Sequence, residues 1–305
     1  MKFFKTPNID FIGKRYLAFT FSIILVIVSF FAIVFKGPDY GIDFTGGTLM
    51  QVTFDKEVKL DEIRSALTTS EDLSFELQSI GKESIIIRVK KTNKTQDEIS
   101  QNVLSLLQAK FTGINIIIDR TEYVGPSVGK HLAKQTMYAF MFTFLGIIVY
   151  VAFRFKSGLW GIVGVLALMH DVFGTFGLIV LMGKEVNITL IAAFLTIAGF
   201  SINDTIVLYD RIRENMRLLA KESFGAIVNR SINEVLSRSI ITTLTVFVVS
   251  MLLFFMGGEV IHDFALAMAI GTALGVFSTI FLCAPLTFEW EKRKRDRFKK
   301  AFNKQ

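Results

Sequence analysis

A chain of 305 residues is long enough for two soluble domains, or for one domain and a membrane part. Apolar residues make up 51% of it and charged residues 20%, with 31 Phe, 22 Gly and only 4 Pro. Because the apolar residues are clustered, disorder, collagen-like repeats and a small disulfide scaffold are excluded. The single cysteine, Cys283, lies in an apolar run without a partner in the chain, which removes cysteine-based zinc sites, and the formal net charge of +7 points to nucleic acid or to a membrane surface.

A bilayer core of about 30 Å needs a helix of roughly 20 residues, and six stretches meet or approach that length. The first, residues 16–35, carries no charge. Its apolar core is too long for a signal peptide, and Lys36-Gly37-Pro38 stands where a cleavage site would be needed, so it is expected to stay as an anchor. The others are 136–153, 158–182 (interrupted by His170 and Asp171), 187–209 (containing Asp204), 240–257 and 264–288.

Between the first and second stretches, residues 36–135 read as an α+β domain. An alternating strand covers 48–54 and a short amphipathic helix 60–67. Two strands at 74–80 and 84–89 form a hairpin across Gly81-Lys82. A helix over 95–111 opens with a capping-box pattern of Thr95 and Glu98 and lines up Ile99, Val103, Leu106 and Leu107. A strand over 115–124 closes the series. The order βαββαβ predicts a ferredoxin-like, split βαβ domain, and no catalytic constellation lies in it.

Lys and Arg in the connecting segments predict orientation. Residues 1–15 hold Lys2, Lys5, Lys14 and Arg15; Arg154 and Lys156 follow the second stretch. The segment 210–239 holds six basic residues, and the tail 289–305 is densely basic. These parts are expected on the cytoplasmic side with both termini, and 36–135, nearly balanced in charge, on the outside. The excess positive charge then reads as a topology signal and an anionic-lipid contact, with no need for nucleic acid.

Charged groups inside membrane helices cost about 2.5 to over 10 kcal/mol, so each needs a reason. Asp204 shares a helical face with Ser201 and Leu208, flanked by Asn203 and Thr205. Arg238 precedes the fifth stretch at a similar depth, with Thr242 and Thr245 continuing its face, so pairing of Asp204 with Arg238 is expected. Snorkelling of Arg238 and a helix-end position in interfacial water for Asp204 are the bland alternatives. Asp171 lies near mid-membrane, beside the one intramembrane imidazole, His170; either can serve packing by interhelical hydrogen bonds. Gly271 and Gly275 form a small-xxx-small pair, common in membrane helices. His131 and His262 receive no role. No phosphate loop, HExxH or nucleophile elbow is present, so no enzymatic activity, cofactor or metal is expected.

Two motifs carry a family resemblance over the whole chain. Gly41-Ile42-Asp43-Phe44-Thr45-Gly46-Gly47-Thr48 resembles the signature after the first helix of the SecF family of protein-export membrane subunits. Residues 199–207, running into Tyr209-Asp210-Arg211-Ile212-Arg213-Glu214-Asn215, resemble its fourth-helix motif. Ser237-Arg238-Ser239 with Thr242-Thr243 looks like the start of its fifth helix. The resemblance implies a multi-pass inner-membrane protein of the SecD/SecF group within the RND superfamily. It implies SecD and the SecYEG channel as partners, allows for a YajC-type accessory subunit, and implies export driven by the proton-motive force. The family's membrane Asp and Arg map to Asp204 and Arg238; Asp171 remains a candidate from its position alone. Gly41, Asp43, Phe44, Gly46, Gly47, Asn203, Thr205 and Thr242 are carried as motif residues. The alternatives are half of an RND-type exporter of small molecules or lipids, and a purely structural translocon subunit.

Overall fold

The computed structural model describes residues 7–68, 75–80, 83–90, 95–155 and 158–302. In chain order, α1 (Arg15–Phe31) runs into a π-helical stretch, Ala32–Lys36. Then come β1 (Asp39–Tyr40), α2 (Ile42–Thr45), β2 (Gly47–Phe54), α3 (Leu60–Leu67), β3 (Phe75–Ile80), β4 (Ser84–Lys90), α4 (Gln96–Lys110) and β5 (Ile116–Val124). The remainder is α5 (Pro126–Phe155), α6 (Gly158–Leu181), β6 (Glu185–Val186), α7 (Ile188–Leu218), α8 (Phe224–Met256) and α9 (Glu259–Ser278). A second π-helical stretch, Thr279–Cys283, joins α9 to α10 (Ala284–Phe302). Two compact units result: Met1–Asp39 with Ala139–Lys184 and Thr189–Gln305, and Tyr40–Tyr138 with Glu185–Ile188.

Among the described residues, six helices are long and apolar enough to cross a membrane: Arg15–Lys36, Pro126–Phe155, Gly158–Leu181, Ile188–Leu218, Phe224–Met256 and Ile261–Lys294. Several outrun the apolar stretches. The second begins at Pro126, ten residues before the run starting at 136, because proline at the first helical position has its φ set for the helix. The segment 210–239, expected as a loop, is mostly helix: α7 continues to Leu218 and α8 starts at Phe224. Ser223 caps α8 by accepting from Ala226 N–H at 3.3 Å, and the Arg211–Glu214 and Arg230–Glu234 pairs brace the polar turns. Hydropathy reports only the greasy part of a helix, whereas its hydrogen bonds run on.

In the membrane unit, α6, α7 and the last span are the most buried, while α5 and α8 are largely exposed and apolar. Tyr209 is fully buried, with Phe155 and Trp160 rings at 5.2 and 5.0 Å. Val163, Ala167, Ile212, Val228 and Ile280 pack in the same cluster. The amino-terminal segment is strapped down: Asn229 Oδ1 accepts from Phe11 N–H at 2.8 Å, Asn233 Oδ1 from Ile9 N–H at 2.9 Å, and Arg15 pairs with Glu289 at 2.6 Å.

The second unit holds a four-stranded antiparallel sheet of order β3-β4-β2-β5. Alternation along β2 sends Met50, Val52 and Phe54 inward, where they meet α3 through Ile63 and Leu67, and α4 through Ile99, Val103 and Leu107. Register pairs Met50 with Ile87 and Val52 with Ile85, so both central strands offer their apolar side to the helices. The capping box at Thr95 and Glu98 is formed, as its pattern predicts. The turn at Gly81-Lys82, Ser74, Lys156 and the basic residues Lys2, Lys5 and Lys304 lie outside the described residues. Ile87→Ala should destabilise this unit by about 2–5 kcal/mol, since a fully buried side chain is removed. Hydrogen exchange on the full chain should show the loss as faster exchange of β2 and β4 amides, with the membrane helices unchanged.

Candidate functional site

The membrane unit gathers its polar groups around two carboxylates. Asp171, on α6, has no exposed surface. Its Oδ2 accepts hydrogen bonds from Ser201 Oγ on α7 and Ser278 Oγ on α9, each at 2.6 Å. Its Oδ1 lies 3.0 Å from His170 Nδ1. One side chain thus holds three spans together. Close approach depends on small residues: a Cβ at Gly275 would stand 3.4 Å from Ser201 Cβ and 3.8 Å from Asp171 Oδ2, and one at Gly271 would overlap Ile197. The Gly271/Gly275 pair therefore faces α7. The imidazole is itself buried, and its Nε2 has no hydrogen-bond partner among the described residues.

Asp204 lies on the same helix as Ser201 and is 6% exposed. Its Oδ1 accepts from Ser239 Oγ at 2.8 Å, while Oδ2 has no hydrogen-bond partner among the described residues. The expected pairing with Arg238 is not formed within ion-pair distance here. On a helix, adjacent residues point about 100° apart, so α8 turns Ser239 inward and leaves Arg238 on an exposed face. Thr242 is exposed as well and bonds back to the Arg238 carbonyl at 2.9 Å. Thr205 is buried with its hydroxyl 3.2 Å from that of Thr279, whereas Asn203 is exposed. Ser278 escaped the sequence reading, and Ser239 entered it only as part of the fifth-helix motif; serine is too common in membrane helices to signal a role without its neighbours.

The motif downstream of Asp204 does structural work. Tyr209 Oη lies 2.9 Å from Thr287 Oγ1 and accepts from Cys283 Sγ at 3.0 Å. Asp210 pairs with Arg154 at 2.5 Å, joining α5 to α7. Arg211 and Asn215 both reach Glu234 on α8, each at 2.7 Å.

In the second unit, the segment from Gly41 to Gly47 is a folded turn. Gly41 N–H donates to Val186 O at 3.0 Å, and Asp43 Oδ2 accepts from Ile188 N–H, the first amide of α7, at 2.8 Å. Phe44 packs edge-on against Tyr40, and a Cβ at Gly129 would sit 3.0 Å from the Phe44 carbonyl. The paired glycines have steric reasons. Gly46 has φ +74° and backs onto Pro126; Gly47 has φ +142°, and a Cβ there would lie 2.6 Å from Val89 O.

With this geometry in hand, comparison with known proteins is decisive. The family described as protein export membrane protein SecD/SecF, C-terminal, matches residues 103–293, and the SecD/SecF GG motif matches residues 31–58. The chain belongs to the SecD/SecF family. It is 52% identical to the protein translocase subunit SecF of Endomicrobium trichonymphae over 302 residues, covering 99% of this chain and 97% of that one. It is 41% identical to SecF of Magnetococcus marinus over 288 residues, covering 93% and 92%. Among solved structures, SecDF from Thermus thermophilus, described as a translocon-associated membrane protein, superposes with a TM-score of 0.84 at 33% identity, covering 94% of this chain and 39% of that chain. SecDF in its super-membrane-facing form gives 0.73 at 32%, covering 97% and 40%. The chain thus spans about two fifths of the SecDF chains it matches and nearly all of its SecF relatives. With six apolar helices and these relatives, this SecD/SecF member is a multi-pass membrane protein.

Interhelical hydrogen bonds in membranes average about 0.6 kcal/mol and reach about 1.7. Ser201→Ala and Ser278→Ala should each lower stability by that much. The double variant should lose more than the sum, because only then is Asp171 Oδ2 left without a donor. Unfolding of the purified chain in detergent measures all three.

Proposed function

We propose that this chain is the SecF-type half of an export motor that pairs with SecD, works beside the SecYEG channel, and draws emerging polypeptides outward using the proton-motive force. The observation that carries the reading is Asp204: a carboxylate 6% exposed on a membrane helix, with one oxygen held by Ser239 and the other unpartnered among the described residues. Such a group is expensive to keep in apolar surroundings unless it does something. A proton reaching Oδ2 neutralises the charge while Oδ1 keeps its bond to Ser239. Arg238, the residue before Ser239, places a positive charge on an exposed face of α8. Its exposed position leaves it within reach of a neighbouring subunit.

Asp171 joins as the second proton-coupling carboxylate. Both its oxygens are already engaged, so a proton on Oδ2 obliges one serine hydroxyl to reverse from donor to acceptor. That change loosens the junction of α6, α7 and α9. One charge crossing 100 mV is worth about 2.3 kcal/mol, so a few protons suffice for a domain movement and not for bulk unfolding.

The Lys and Arg distribution supports cytoplasmic termini, an inner-membrane location and an external position for residues 36–135. For that external domain the element order and the sheet order β3-β4-β2-β5 support the ferredoxin-like, split βαβ arrangement. A YajC-type subunit is a further partner of the same complex.

Asp204→Asn is close to isosteric and removes the titrating group. Export into vesicles should lose its proton-driven component, while the ATP-driven component and co-purification with SecD stay normal. Proton-driven export at the wild-type rate would end the carrier role of Asp204. Recovery of SecD and SecYEG by crosslinking from native membranes checks the partners.

A further inference from the structure

The signature turn grips a short segment at the amino-terminal end of α7. Three contacts converge on residues 185–188. Glu185 forms an ion pair with Arg88 of β4, both side chains being about nine-tenths buried. Val186 O accepts the Gly41 N–H at 3.0 Å. Ile188 N–H donates to Asp43 Oδ2 at 2.8 Å. Ile188 is the first residue of α7, and the first amides of a helix have no partner within it. Asp43 therefore satisfies an orphan donor and sets a negative charge at the positive end of the helix dipole.

The cap comes from 145 residues away in sequence, which distinguishes it from ordinary local capping. It relies on the turn's own geometry. Gly41, Gly46 and Thr45 brace the one-turn helix α2: Phe44 N–H and Thr45 N–H donate to Gly41 O at 3.0 and 3.1 Å, and Gly46 N–H to Ile42 O at 2.9 Å. A side chain at Gly41 would overlap the Glu185 carboxylate and displace it from Arg88. The glycine thus serves the ion pair and the backbone bridge at once.

We propose that Asp43 is a positioning residue for export: its carboxylate holds the first turn of the helix that carries Asp204, and with Arg88–Glu185 and Gly41–Val186 it hands displacement of α7 to the signature turn and β4. This rests on the proton-coupled reading of Asp204. What counts most at position 43 is then the side-chain acceptor, with its charge second.

The experiment uses the full chain in its complex with SecD. Asp43→Ala should lower proton-driven export several-fold without loss of the complex. Asp43→Asn, which keeps an acceptor oxygen at the same reach, should restore it to within about twofold of wild type. In parallel, hydrogen exchange at the first-turn amides 188–191 should quicken in the Ala variant and return to normal in Asn. Normal export in Asp43→Ala, or equal failure of the Ala and Asn variants, would overturn the inference. So would an unchanged exchange rate at 188–191 in the Ala variant, and this leaves the function reading intact. If exchange quickens as expected while Asp204→Asn exports normally, the proton reading falls and takes the coupling role of Asp43 with it.

Discussion

A carboxylate placed among apolar helices is tolerated only where donors surround it, and the membrane unit is organised by that constraint. Asp171 meets it by drawing hydroxyls from two other helices onto one oxygen. The need for those donors explains where the bundle is tight. Ser201 and Ser278 can reach Asp171 because glycines at 271 and 275 let α9 lie close to α7. Packing and polarity are therefore one arrangement: fill the glycine positions and the carboxylate loses its donors.

Asp204 is the contrasting case. Only one of its oxygens has a hydrogen-bond partner among the described residues, and the basic residue beside its partner serine lies on an exposed face. The two acidic groups on neighbouring helices thus divide by their hydrogen bonds: Asp171 fastens three helices, and Asp204 keeps one oxygen without a partner among the described residues. The division comes from their donors, since by residue type and membrane setting they are alike.

The glycine-rich signature has no comparable chemistry and works through its backbone. Gly47 makes room for the Val89 carbonyl across the sheet, and Gly46 turns the chain beside Pro126. Between Gly41 and these glycines, Asp43 is placed where a helix begins. A motif that reads as a family label becomes a fitted turn whose residues each answer a steric or hydrogen-bonding need.

Much of this was legible beforehand. Apolar length revealed six spans, alternation revealed β2, and the Thr95–Glu98 spacing revealed the start of α4, because each of these patterns is local and obeys a fixed period. The rarity of acidic residues in such helices singled out Asp171 and Asp204 as well. Helix ends were harder, since α5, α7 and α8 extend through polar turns that hydropathy does not register. What only the tertiary structure decided was partnership. One step along α8 makes Ser239, and not Arg238, the hydrogen-bond partner of Asp204, and a bond spanning 145 residues joins Asp43 to Ile188. Residue type and spacing determine which groups need a partner; helix rotation and chain topology, which no local pattern encodes, determine which partner they get.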